Sequence, residues 1–556
     1  MAGFARQATA FVSQPEPKTI GSFAKGQQLL ARNFLFAGFL VEGRDKSIWD
    51  INMPDDAFEA QVHGFGWLDD LAAVGDSSAR DLALIWLTEW IDRYGKGRGP
   101  GWTPELAGRR TIRWINHALF LLNGSDKKAS QLYFENLARH TRFLSKRWLA
   151  APAGMPRFEA LTGLIYAGIS LEGYGGLVSP AARAIAQECS DCIEPDGGIS
   201  TRNPEELMEL FTLLNWSAAA LSEEGQMPQK THLLAIERIA PTLRALRHSD
   251  GTLARFHGGG KGQEGRLDQA LASSGVRSTL NSGLAMGFAR LSAGRTSVVM
   301  DASPPPSIAQ SYNAHASTLA FELTSGRRPF IVNCGSGVDF GPEWRRAARA
   351  TQSHSTLAID GYSSSRFISR KADLPYSGDL LVEGPGDVRV QQSSGLDGMT
   401  VLATHDGYSK THGLLHVRRL DLSIDGRELA GEDTLGALSE SDRITFEDLM
   451  NETRLRGVAF AVRFHLHPDV EPEIDLGGSA VSLSMKSGEV WVFRYDGPAG
   501  LSIDPSVYLE RGRLKPRATK QIVLTDTVLD YSSQVRWSLT RAQEGKRHIR
   551  DLDSTT

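Results

Sequence analysis

The run SYNAHASTLAFELTSGRRPFIVNCG, Ser311 to Gly335, decides how this chain is read. In it Leu319, Phe321 and Leu323 alternate with Thr318, Ala320 and Glu322, a turn-like SGRRP follows, and FIVN resumes the apolar pattern. An apolar residue at every second position turns one side of a strand toward a core. Two such runs across a short polar turn predict an antiparallel pair.

Downstream the period stays at two. STLAID, LDLSIDG, VAFAVRFHLHP, VSLSMKSGEVWVFRYDG and SQVRWSLT read as further strands, several bounded by DG or SG turn signals. Many short strands with no helices between them predict stacked antiparallel sheets, a β-sandwich over residues 296–556. Upstream, from about residue 20 to 295, apolar residues recur at helical spacing between Gly, Pro and Asn breaks. In PEELMELFTLLNWSAAAL, Leu207, Leu210, Phe211, Leu214 and Leu221 form one stripe, with Pro204 and two glutamates where they suit a helix N-terminus. RDLALIWLTEWIDRY, RRTIRWINHALFLLNG (Ile112, Ile115, Leu119, Leu122), RFEALTGLIYAGISLEG and THLLAIERIAPTLRALRH read the same way. The expected architecture is therefore an all-helical domain, residues 1–295, followed by an all-β domain.

Bulk properties agree with this division. At 556 residues the chain exceeds the size at which one core keeps growing. Apolar residues make up 41% and charged residues 23%, the mix of an ordinary globular protein, and a net charge of -4 argues against a protein built to neutralise phosphates. Nucleic acid is a poor expectation as partner. The longest apolar stretch, FLFAGFLV at Phe34 to Val41, is too short to span a bilayer, and MAGFARQATAFVSQPEPK lacks the apolar run of a secretory signal. The expectation is a soluble, unexported chain without a membrane span.

Several motifs have plain structural readings. GGGKGQEG contains a formal G-x-G-x-x-G at Gly260, Gly262 and Gly265, but SDGTLARFH before it is no strand of a β-α-β unit, so a surface loop is expected. Cys189 and Cys192 form C-x-x-C, yet with Ile185 they share one helix face and no second pair completes a zinc site. His465 and His467 share a strand face with Arg463, expected to face solvent. His315, Asn333 and His354 lie at the ends of successive strands and are expected to converge at one sheet edge. Two imidazoles and an oxygen would suit zinc, although an amide is a poor ligand beside a carboxylate.

The same residues resemble a family, the heparinase II/III-like polysaccharide lyases, whose helical (α/α) toroid precedes a β-sandwich. NAHASTLAFELTSGRRPFIVNCGSG is similar to the family's H-x-H-A-D-x-L-S-F-E-L…G-R-P-L-I-V-D-x-G. ATQSHSTLAIDG and THDGYSKTHGLLHVRRL continue the likeness through most of the chain. The resemblance implies β-elimination at a uronic acid: a base takes the proton α to the carboxylate, a neighbour neutralises that carboxylate, and an acid protonates the leaving oxygen.

Carried over by position, the family's β-domain catalytic histidine falls on Asn313, and its metal positions fall on His315, Asn333 and His354. Met155 stands where the toroid Asn or His belongs, and Glu206 where the toroid tyrosine belongs. The resemblance thus implies a rearranged catalytic set, with Tyr312, Tyr408 and His405 as proton-transfer candidates beside Asn313. Arg202, Asn203, Arg255 and His257 are the expected contacts to an acidic polysaccharide or oligosaccharide, since arginine suits carboxylate recognition. Zinc at His315, Asn333 and His354, or an equivalent hydrogen-bond network, would support the cleft. A glycan-binding or envelope-polysaccharide protein that has lost the chemistry is the alternative. The resemblance implies the cell envelope or periplasm, and the N-terminal sequence the cytoplasm.

Overall fold

The computed structural model describes residues 8–124, 126–279, 283–370 and 378–542, so the segment read for an export signal begins outside the described residues. Paired helices make up most of the N-terminal domain, which is not all-helical as expected: FLFAGFLV lies in a two-stranded hairpin, Asn33–Phe36 with Phe39–Glu42. Pro104–Asn116 packs against Met155–Ser170 at a crossing that admits no side chain, since a Cβ on Gly163 would lie 2.6 Å from the Gly108 Cα. Met155–Ser170 also packs on Val178–Cys192 and on Pro204–Glu223.

The helix Pro204–Glu223 starts for reasons written in its sequence. Asn203 Oδ1 accepts from the N–H groups of Glu205 (3.0 Å) and Glu206 (3.2 Å), Pro204 presets the first turn, and the two glutamates complement the helix dipole. RRTIRWINHALFLLNG departs from the single helix expected. It breaks at His117 into Pro104–Asn116 and Ala118–Leu122, the His117 ring bonding Asp69 at 2.8 Å, and Leu119 ends 76% exposed instead of joining the stripe.

Two antiparallel eight-stranded sheets dominate the C-terminal domain, which, against the all-β expectation, also carries a 13-residue helix, Glu440–Glu452, begun by a Ser439–Asp442 capping box. One runs from edge to edge through Val388–Gly395, Gly398–Tyr408, Leu414–Ser423, Glu428–Gly436, Ser532–Arg541, Val490–Asp496, Ala480–Met485 and Val470–Asp475. The other runs through Gly500–Tyr508, Arg517–Val528, Val458–Leu466, Arg328–Val332, Phe321–Ser325, Thr296–Asp301 and Phe288–Ala293, with Leu357–Ile359 paired to Val458–Leu466 off that path. Between them Phe321 stacks on Trp537 with centroids 5.7 Å apart, and Phe464 meets Trp537 edge-on at 4.7 Å. The ladder takes in Phe288–Ala293, so the sheet begins ahead of residue 296.

The turn signals behave as read: GGGKGQEG is a loop, with no strand before it. Cys189 packs in the helical core and both C-x-x-C thiols are free. One expectation is corrected. His465 and His467 do not face solvent; both are buried, and His465 binds the Ser506 hydroxyl at 2.7 Å and the Gln352 carbonyl at 3.0 Å.

Candidate functional site

Where the helical domain meets the sandwich, a cleft of about 380 Å³ opens between the N-terminal ends of Met155–Ser170 and Pro204–Glu223 and the loop before Phe321–Ser325. Met155, Cys192, Glu194, Thr201, Glu206 and Tyr312 are among the residues that line it. Glu206 is partly buried, and that burial pushes its carboxyl up to about 7, while hydrogen bonds to the Thr201 and Tyr312 side chains pull the other way. The Thr201 bond is 3.0 Å. Burial likewise raises Glu194, with Asp196 adding to the effect. Beside Cys192 the same desolvation, helped by Glu188, pushes the thiol up to about 12, which leaves it a neutral wall group.

No Lys, Arg or His lines the cleft among the described residues. Behind the cleft wall on the sandwich side, Arg345 Nη2 donates to the Tyr312 carbonyl and to Asn313 Oδ1, both at 2.9 Å. Asn313 is therefore held one residue behind Tyr312, its amide oxygen engaged by Arg345.

The expected substrate contacts serve the domain junction. Arg202 donates to Asp301 Oδ1 at 2.6 Å and to the carbonyls of Met286, Gly287, Ser303 and Pro304. His257 Nδ1 accepts the His315 N–H at 3.2 Å, which leaves the proton on Nε2, 3.3 Å from Asp301 Oδ2. Burial opposes a charge on Asp301, but Arg202 and His257 overrule it and hold the carboxyl well below the usual range. Arg255 stacks over Tyr508 at 4.4 Å and donates to Glu322 and to the Asn333 carbonyl. Asn203 caps its helix.

His405 and Tyr408 lie inside the sandwich, each 1% exposed. The Gly407 N–H donates to His405 Nδ1 (3.0 Å), so His405 Nε2 faces His416 Nδ1 as donor (3.3 Å), and His416 Nε2 in turn donates to Asp433 (2.8 Å). Tyr408 donates to the Leu357 carbonyl at 3.3 Å. Burial drives His405 well below the ordinary imidazole range, with His416 and Arg418 adding to it, and raises the Tyr408 phenol. Neither ring lines the cleft.

His315 and His354 do come together, Nδ1 to Nε2 at 2.9 Å. Because His354 Nδ1 donates to the Ala350 carbonyl (2.8 Å), its Nε2 accepts from His315. Asn333 sits beside them, its Oδ1 accepting the Ser355 N–H at 2.9 Å and its Nδ2 buried without a partner. The facing imidazole nitrogens bind each other, the amide oxygen accepts from the backbone, and no group of three or more His, Cys, Asp or Glu able to hold a metal occurs among the described residues. Burial keeps both rings neutral, His354 at about 4. His315 and His354 are thus joined by a hydrogen bond, while Asn333 is tied to the Ser355 backbone.

Of the three proton-transfer candidates only Tyr312 reaches the cleft wall, and Asn313 does not line it. Sequence reasoning saw Glu206 as a missing tyrosine and did not see Asp301 or Arg345 at all. Their partners lie far along the chain, and no local pattern announces them.

Comparison with known proteins follows the fold. A family model described as Heparinase II/III-like, C-terminal, matches residues 275–538. FtsZ-localized protein C of Caulobacter vibrioides is 33% identical over 531 residues, which cover 94% of this chain and 88% of that protein. The crystal structure of heparinase III superposes with a TM-score of 0.71 at 12% identity, covering 96% of this chain and 88% of the other. A mutant of the heparan sulfate lyase HepC from Pedobacter heparinus superposes with a TM-score of 0.60 at 15% identity, covering 94% and 83%. At these identities the solved structures share the (α/α) toroid and β-sandwich fold.

Proposed function

Because the chain belongs to the heparinase II/III-like family, we propose that it acts on a uronate-containing polysaccharide or oligosaccharide by β-elimination in the cleft between toroid and sandwich. One observation carries the reading: Glu206, with its carboxyl at about 7, and Tyr312 are hydrogen-bonded and line the same cleft. A neutral carboxyl can donate to the substrate carboxylate and offset its charge as the α-carbon loses its proton, which is the task of the neutralising group. Tyr312, as phenolate, takes that proton. The bond from the β-carbon to the glycosidic oxygen breaks as the double bond forms, and the proton passes from Tyr312 to the departing oxygen. Atoms and charge balance, and Tyr312 is regenerated.

This reading runs through no metal. His315, Asn333 and His354 support the junction by hydrogen bonding, and metal analysis of the purified protein tests that assignment.

A second reading is a glycan-binding envelope protein that does not cleave. Met155, which offers no proton-transfer group, and the cleft's lack of a lining cation favour it. So does the name of the Caulobacter vibrioides relative, which describes where that protein is found and no reaction. On either reading we assign the protein to the cell envelope, with the cytoplasm as the alternative, to be decided by fractionating cells that carry a tagged chain.

The deciding experiment incubates the protein with a panel of acidic polysaccharides and follows ultraviolet absorbance. Elimination produces an unsaturated uronate that absorbs, and Tyr312→Phe abolishes it. Binding without new absorbance rejects the lyase and leaves the second reading.

A further inference from the structure

The cleft by itself offers an acidic chain little to hold it. Its carboxyl groups are Asp191, Glu194 and Glu206, and no Lys or Arg lines it among the described residues. The cations stand one residue away along the helix. Glu205, the neighbour of Glu206 in the first turn of Pro204–Glu223, accepts from Arg511 Nη1 at 2.6 Å and from the Gly260 N–H at 2.8 Å. Arg511 opens RGRLKPRATK, Arg511 to Lys520, which holds five cations in ten residues and no carboxylate.

This run begins in the turn between Gly500–Tyr508 and Arg517–Val528, and Arg511, Arg513 and Lys515 stand exposed on it. Arg511 is spent on Glu205, with Asp339 and Glu209 adding to that hold. Six cations remain in one patch: Arg513, Lys515, Arg517 and Lys520, with Lys261 from the toroid and Lys486 from the sandwich. Their ion pairs reach only three carboxylates. Glu510 is shared by Lys261 (2.9 Å), Arg513 (3.4 Å) and Arg517 (3.7 Å), Asp469 by Lys486 and Arg517, and Glu471 serves Lys520. Lys515 has no ion pair among the described residues. Counting the exposed Glu473 of the neighbouring strand still leaves an excess of positive charge, in a chain whose net charge is -4. The shared carboxylates order the patch without neutralising it.

We propose that this hairpin is an outer docking surface for an acidic polysaccharide, binding carboxylates of the chain beyond the sugar that occupies the cleft. The proposal rests on the reading of the cleft as a glycan site and does not depend on cleavage. Each exposed cation contributes little alone, but several acting on one polymer that is also held in the cleft raise its overall affinity. Arg513 supplies the fork that suits a carboxylate, and Lys515 an unpaired point charge. Contact with the turn that carries Glu206 favours a glycan over an acidic protein or an anionic lipid surface, because a chain leaving the cleft across that helix end meets the hairpin.

An unsulfated octasaccharide of alternating glucuronate and N-acetylglucosamine tests the surface on the full chain, by titration calorimetry at low salt. Arg513→Ser combined with Lys515→Ser should weaken binding about tenfold, and the deficit should shrink as salt is raised, because exposed charges are screened. Both side chains are exposed, and an unchanged melting temperature shows that the double variant folds. Arg513→Lys, which keeps the charge, should retain most of the affinity. The same loss of charge at Lys127 and Lys128, on a helix of the toroid, should leave binding unchanged. Hairpin-dependent binding with no unsaturated product rejects the lyase and leaves the docking surface, whereas elimination with binding indifferent to Arg513 and Lys515 does the reverse. No binding by the wild type, or an equal loss in the Lys127 and Lys128 variant, overturns the surface. So does hairpin-dependent capture of anionic phospholipid vesicles while oligosaccharide binding is unmoved, which assigns the patch to a lipid surface instead.

Discussion

A carboxyl held at about 7 changes charge within the range in which proteins are handled, and Glu206 is such a group. Its folded value lies above the ordinary 4.5, so the native state disfavours its ionisation. The stability that depends on the neutral form is complete below pH 4.5 and is lost as the pH rises through about 7. Glu206→Gln should therefore leave the melting temperature unchanged in acid and stabilise the protein above neutrality by up to about 3 kcal/mol, read by thermal unfolding across pH. If neutral Glu206 offsets the substrate carboxylate, elimination by the wild type should fall over the same rise in pH. The sequence exposed Tyr312, His405 and Tyr408 as one candidate set by their motifs. Burial divides that set, and a histidine's sequence neighbours do not say whether its ring meets solvent.

Among the elements, the helix Pro204–Glu223 matters most, because its first turn sets Glu206 at the cleft. Its proline, first-turn glutamates and stripe were legible, since helix starts and periodicity are local properties, whereas Asn203, read as a substrate contact, is its cap. Asn203→Ala removes the acceptor for the Glu205 and Glu206 N–H groups and should cost about 1 kcal/mol in denaturant unfolding, while Asn203→Asp, also a good cap, should cost far less. The strand Phe321–Ser325 shows the limit of local reading. Alternation puts Glu322 on the face away from the sandwich core, yet every residue of the strand is buried, because the toroid covers that outer face and pairs Glu322 with Arg255. His465 and His467 are buried within their own domain, His465 against Ser506 and Gln352 and His467 edge-on to Tyr508.

For the molecule as a whole, the junction of two domains is where function is assembled, and Asp301 holds that junction. Arg202 and His257, both in left-handed backbone conformations, reach from the toroid to this one carboxylate on the sheet. Asp301→Asn leaves the buried guanidinium without its counter-charge and should cost about 3–5 kcal/mol, with toroid and sandwich unfolding in separate calorimetric transitions. A single cooperative transition of unchanged stability would contradict that role. The amino-acid order alone determined the change from helical to alternating periodicity, the proline-marked helix start, the turns and the family likeness, because each rests on neighbours within a few residues. Only the tertiary structure decided which polar groups meet. Arg202 finds Asp301 across 99 residues, and Glu206 finds Tyr312 where two domains touch. Burial, which turns an ordinary glutamate into a group poised near neutrality, is a property of the assembled fold and has no counterpart in local sequence.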